Sequence, residues 1–275
     1  VRERAIADRL ASVHGSPHPV PIDPQLLMLA YRSGVFPMAD SRDDQDIFWV
    51  EPKRRAILPL GGLHVSRSLS RRLKRGHFEV TCNAAFDEVI ASCAAPRTSS
   101  QDSWISGRIA ASYRHLHELG HAHSIECWQE GADGARQLVG GLYGVGFDRV
   151  FCGESMFSLV PDASKVALVW LVAALRRGGC ELLDCQFITD HLASLGAVEI
   201  SQARYVTLLK QAQRPPGLSS ARPMSGVGDG LGEAEGDGEA LGLPAGFAAL
   251  LADAKAAGDS SSPGNFIAQS LTQTS

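Results

Sequence analysis

Ten consecutive apolar residues, Val166 to Leu175, constrain this chain more than any other stretch. They are too few for a membrane span, which takes roughly twenty, and too uniformly apolar for a surface helix, so they predict a helix buried on all sides. Asp162 is placed to cap its start, and Arg176-Arg177-Gly178-Gly179 ends the run at Gly178. Polar groups stand out on the strands predicted on either side. Val150 to Phe157 carries one carboxylate, Glu154, in apolar company. In Glu181 to Gln186, strand alternation puts Leu182, Asp184 and Gln186 on one face and Leu183 and Cys185 on the other. A carboxylate on a strand that emerges from a buried helix is costly unless hydrogen-bonded or solvated, so Asp184 belongs in a cleft or a polar network. By itself, Asp-x-Gln fits a satisfied structural network better than a reactive pair.

The remaining pattern places helices and strands around this unit. Asp23-Pro24 opens a helix that Gly34 ends, and Phe48 to Val50 and Arg55 to Leu58 predict short strands limited by Pro52 and Pro59. Ser66 caps and Gly76 ends a helix whose buried stripe is Leu69 and Leu73. Arg67, Arg71, Arg72, Lys74 and Arg75 fall mostly on its other side; with no acid in the helix to offset them, they form either a solvated face or a phosphate contact. Phe78 to Cys82 is a strand, Asn83 caps a helix through Cys93, and Pro96 to Ser103 is a polar loop. Ser106 caps a helix over Gly107 to Leu119. An antiparallel meander of three strands then runs from Ala122 to Phe157; the buried helix, a strand, a short helix and a last strand over Val198 to Leu208 follow. This order predicts an α+β fold with a mixed sheet. Gly140 to Gly146 is no phosphate loop, because a strand and not a helix follows it; its glycines permit a bulge or a close approach to the sheet.

A length of 275 residues and 44% hydrophobic content suffice for one large domain and a small partner. The formal charge of −4 argues against a generally basic nucleic-acid binder, but Lys53 to Arg75 is basic and acids gather near the C-terminus, so any RNA contact is local. Six cysteines without a C-x-x-C pair predict reduced core residues of a cytoplasmic protein. His121 and His123 face the same way, but nothing nearby completes a metal set, and no export signal is expected. Residues 1–21 are expected to be flexible and 213–275 a disordered Gly/Ala-rich acidic tail, with one amphipathic possibility at Ala245–Ala256.

Gly34-Val35-Phe36-Pro37, His64 to Leu69, Trp104-Ile105, His121 to Glu126, Leu138 to Gly144, Gly153 to Ser158, Asp162 to Lys165, Asp184-Cys185-Gln186 and His191 to Ala197 together resemble the bacterial leucyl/phenylalanyl-tRNA–protein transferases. The resemblance covers about residues 22–210, in order and without large gaps. It implies a small N-terminal domain at 22–62 and a catalytic domain like the acyl-CoA N-acyltransferases at 63–212. It also implies transfer of Leu or Phe, less well Met, from aminoacyl-tRNA to the N-terminal Arg or Lys of acceptor proteins. That product is marked for degradation by the N-degron pathway, and neither cofactor, metal nor membrane is implied.

Matched onto the family's motifs, the catalytic residues are Asp184, Gln186 and Glu154. Asp184 holds or polarises Gln186 and helps fix the cationic acceptor residue, Gln186 hydrogen-bonds the attacking amine, and Glu154 orients the aminoacyl group or the terminal adenosine. Trp49, Trp104 and Phe151 match aromatic positions that stack on the adenosine or wall the side-chain pocket, with Met156 and Ser158 also in the substrate site. The basic helix supplies the tRNA contact. Two departures remove positive charge: many relatives carry Arg where this chain has Leu159, and a basic residue near Gln202. Rival expectations on the same fold are an acyl-CoA-dependent N-acetyltransferase, which would lack its usual pyrophosphate loop, and a non-catalytic RNA-binding protein. The enzyme requires Asp184 and Gln186 to open into one cavity bordered by Glu154 and the indoles.

Overall fold

The computed structural model describes residues 19–44, 46–96, 103–131, 133–215, 242–257 and 263–272. Most of the expected flexible N-terminus, most of the polar loop after Pro96, and residues 216–241 of the expected tail lie outside them. The N-terminal segment builds α1 (Pro24–Ser33), capped by Asp23, whose Oδ1 accepts from the N–H groups of Gln25 and Leu26, and ended by Gly34 in the left-handed region. Next come β1 (Phe36–Met38) and β2 (Phe48–Val50), paired antiparallel as a separate two-stranded sheet.

The large sheet is built from β3 (Arg54–Ile57), β4 (Glu79–Cys82), β5 (Ala122–Glu130), β6 (Arg136–Phe147), β7 (Val150–Ser158), β8 (Leu182–Gln186) and β9 (Val198–Ser201). Its order is β4-β5-β6-β7-β8-β3-β9. All neighbours are antiparallel except β7 and β8, which are parallel and joined by the crossover helix α5 (Ala163–Arg177). Arg54–Ile57, which a division at residue 62 groups with the N-terminal segment, thus hydrogen-bonds within the large sheet. Helices lie on both faces. One face carries α5 with α2 (Arg67–Lys74); the other carries α1, α3 (Phe86–Ala94), α4 (Gly107–Glu118) and α7 (Gln202–Ala212). The short α6 (Asp190–Ser194) follows β8.

Helix α5 is apolar all round and therefore needs cover on its outer side as well. The C-terminal segment provides it. Leu243–Ala256 forms α8, whose buried Phe247 ring lies 5.5 Å from that of Trp170, and Pro263–Thr272 forms α9, with Ile267 and Ala268 in the same apolar cluster as Leu69 and Leu73 of α2. The expected tail is thus not wholly outside the folded body: its two apolar pieces belong to the core.

Three local predictions require correction. Only Val198–Ser201 of the expected last strand is extended; Ser201 then caps α7, and Tyr205, Leu209 and Ala212 recur at helical spacing on its buried side. Asn83 does not cap α3, which starts at Phe86; its backbone is left-handed and its side chain accepts the Ser124 N–H. Asp162 makes no capping bond either, because it too is left-handed and its carboxylate is engaged by cations; Ser158 Oγ instead accepts the N–H of Ser164. No helix among the described residues is long and apolar enough to cross a membrane.

Candidate active site

The parallel pairing of β7 with β8 lasts only from Val150↔Leu182 to Cys152↔Asp184. Beyond it the strands part, and a cavity of about 1350 Å³ opens between Gly153–Ser158 of β7 and the end of β8. Two register breaks shape its walls. Tyr143 pairs Ser155 and Gly144 pairs Gly153, which leaves Glu154 as the extra residue of a bulge. Likewise Ile57 pairs Asp184 and Ala56 pairs Gln186, which leaves Cys185 unopposed. The glycines of β6 serve this geometry: a Cβ at Gly144 would stand 2.5 Å from the Phe151 ring, and one at Gly140 would stand 2.5 Å from the Ala163 side chain.

Glu154 is held from three directions. Its Oε1 accepts from Tyr31 Oη at 2.7 Å and Gln186 Nε2 at 3.2 Å, and its Oε2 accepts from Tyr113 Oη at 2.9 Å. Burial pushes its pKa up to about 7, against the pull of the two tyrosine hydrogen bonds. Burial, reinforced by the Glu154 charge, holds both tyrosine hydroxyls well above their usual range, so they remain donors. Gln186 ends β8 with a left-handed φ of 57°, an uncommon state for a side-chain-bearing residue and one concentrated at functional sites.

Asp184 has a different place from the expected one. It is 0% exposed and is absent from the cavity wall. Its Oδ1 accepts from Arg55 Nε at 2.8 Å and from the Gln186 backbone N–H at 2.9 Å; its Oδ2 accepts from Arg55 Nη2 at 2.5 Å and Tyr205 Oη at 3.0 Å. Those four bonds fill the acceptor positions of a carboxylate. Asp184 therefore fixes the Gln186 backbone, but it has no free edge for an acceptor's cationic side chain. Arg55 is itself clamped, donating to the Gly34 carbonyl at 3.0 Å and lying over the rings of Phe36 and Tyr205.

Of the other expected residues, Trp104, Met156 and Ser158 line the cavity. Trp49 does not: it sits on β2, 40% exposed, paired with Pro37, while its neighbours across the pair, Phe36 and Met38, reach the wall. Phe151 is also removed from the wall, being fully buried with its ring over Gly144. The residues missed from sequence are Arg55, Tyr31, Tyr113 and Tyr205. Arg55 did leave a signal, a cation on the same strand face as the apolar Ile57.

The basic helix α2 exposes Arg67, Arg71, Lys74 and Arg75. Arg72 turns toward the cavity rim, where its Nε lies 3.0 Å from Asp162. Gln202, one of the two departures, donates to Glu51 at 2.6 Å, and Leu159, the other, is 71% exposed at the rim. Among the described residues no three His, Cys, Asp or Glu side chains group as a metal site would require.

Residues 57–210 match the family model of the leucyl/phenylalanyl-tRNA protein transferases, and residues 21–53 match that family's N-terminal domain. The leucyl/phenylalanyl-tRNA–protein transferase of Novosphingobium aromaticivorans is 66% identical over 268 residues, which cover 94% of this chain and 98% of the relative. Its counterpart in Rhizorhabdus wittichii is 59% identical over 191 residues, 70% of this chain and 75% of the relative. That of Zymomonas mobilis is 54% identical over 191 residues, 70% and 69% of the two chains. With a family model spanning more than half its length, this chain belongs to the leucyl/phenylalanyl-tRNA–protein transferase family of aminoacyltransferases.

Proposed function

We propose that this enzyme moves Leu or Phe, and less well Met, from aminoacyl-tRNA to the N-terminal Arg or Lys of an acceptor protein, in the cytoplasm, and so creates a degradation signal. The observation that carries the reading is the Glu154–Gln186 pair on the wall of a cavity with apolar sides. Phe36, Leu142, Met156 and Leu183 offer an unbranched or γ-branched side chain a place to bury, and Trp104 offers the adenosine a face to stack on.

In this reading the acceptor's amine attacks the ester carbonyl carbon, the C–N bond forms, the bond to the ribose oxygen breaks, and the amine's proton ends on that oxygen. The ester is already activated, so position and proton handling are what the protein supplies. Gln186 gives its Nε2 to Glu154, which leaves its amide oxygen to accept from the attacking amine. Glu154 has three donors and room for about one more, on Oε2. Near neutral pH, its raised pKa suits it to hold the amine's proton on the way to the leaving oxygen. Asp184 is a positioning residue, acting through the Gln186 backbone.

The test is leucine transfer from charged leucyl-tRNA to an Arg-starting peptide, with an Ala-starting peptide as control. The parent should label the first and not the second, and Gln186→Ala should lower kcat/KM by at least about 100-fold. Equal labelling of both peptides, or undiminished turnover in Gln186→Ala and Asp184→Ala alike, would remove the assignment.

A further inference from the structure

Acyl transfer leaves one charged cluster of the cavity unused. At the start of α5, Asp162 sits between two cations, 3.0 Å from Arg72 Nε and 3.3 Å from Lys165 Nζ. One carboxylate thus holds two positive charges in place and leaves a net charge of about +1. Lys165 is the one Lys or Arg among the described residues lining the cavity. His191 of α6 lines the same cavity, and its Nε2, shut off from solvent, has no hydrogen-bond partner among the described residues. A buried nitrogen left in that state costs free energy, and because the rest of the half-buried ring is open to the cavity, a turn of the imidazole brings this nitrogen to a ligand's oxygen and restores the lost bond. Burial and the nearby Lys165 charge both hold the His191 imidazole below its usual pKa range. Through Arg72 the cluster is continuous with α2, whose other cations are exposed.

In an aminoacyl-tRNA, the anion nearest the reacting ester is the phosphate on the 5′ side of the terminal nucleoside. We propose that Lys165 and His191 form a subsite for that phosphate, reached by the RNA along the Arg72 side of the rim. This rests on the aminoacyl-tRNA reading above. Asp162 is the opposing charge; its tie to Arg72 keeps it from neutralising Lys165 alone. Leu159 on the same rim brings no cation of its own, so the contact depends on Lys165.

The experiment compares two minimal donors on the full chain, 3′-O-leucyl-adenosine and the same ester bearing a 5′-phosphate, with an Arg-starting peptide as acceptor. In the parent the phosphate should lower KM by about 10-fold, the size of one charge-assisted hydrogen bond. In Lys165→Gln and in His191→Gln that advantage should shrink to about 2-fold or less, and Lys165→Arg should retain most of it. A variant that merely misfolds would lose both donors together, whereas loss of the subsite removes only the difference between them. A phosphate advantage retained in full by both glutamine variants overturns the subsite, as does a parent that shows none. A parent that transfers leucine from neither donor nor from leucyl-tRNA removes the aminoacyl-transfer reading itself, and the subsite with it.

Discussion

Both oxygens of Asp184 are occupied by Arg55, Tyr205 and the Gln186 N–H, so removing the carboxylate leaves a guanidinium buried without its counter-charge. Asp184→Ala is expected to cost about 3–5 kcal/mol, read from the urea midpoint, and adding Arg55→Met should recover part of that loss. Glu154 makes a pH prediction. Its folded-state pKa of about 7 lies above the ordinary 4.5, so the folded chain holds this proton more tightly. The stability that proton contributes is complete below the ordinary value and is lost as pH rises through the folded one. Urea midpoints measured across that window should fall with pH in the parent, and Glu154→Gln should flatten this part of the slope. Glu154, Asp184 and Gln186 were legible in the sequence because each is polar where apolar neighbours are predicted. Their partners were not: Tyr31, Tyr113 and Tyr205 sit at ordinary helix-core positions, and what distinguishes them is a hydroxyl aimed at a carboxylate far away in the chain. Strand alternation also put Asp184 and Gln186 side by side, whereas only the second reaches the cavity, because β8 ends there in a left-handed turn.

At the scale of elements, α2 presents a basic face whose members are unequal. Arg72 is tied to Asp162, while Arg71 and Arg75 are exposed. Reversing those two to Glu should weaken tRNA binding and reduce the steepness of its salt dependence by roughly 2 in the log–log slope, about one for each phosphate no longer neutralised. Unchanged affinity and slope in a filter-binding series would leave α2 a solvated face. Most elements were legible because the apolar spacing and the capping residues agreed, as they do for α1, α2 and α4. Val198 to Leu208 was not: it starts as β9 and becomes α7 at Ser201, and Val206 and Thr207 favour extended structure locally until the spacing of Tyr205, Leu209 and Ala212 is counted. The left-handed residues Asn83 and Asp162 were likewise unreadable, since cap and turn chemistry use the same residue types.

For the whole molecule, a crossover helix that has no polar side must be covered on its outer face as well as against the sheet. The run from Val166 to Leu175 announced that α5 is covered, but not that α8 and α9 complete the cover from the far end of the sequence, beyond residue 210, where the family match stops. A chain ended after residue 215 should therefore expose Trp170 and its neighbours; sedimentation should show self-association, and a dye that senses apolar surface should brighten. The order of synthesis gives the same geometry a second meaning. The ribosome finishes α5 long before it makes Phe247, so every newborn copy passes through an interval in which the reactive half is assembled and its back is still wet. Nascent chains halted in that interval should be bound by chaperones that recognise apolar segments, and chains released with α8 and α9 in place should not.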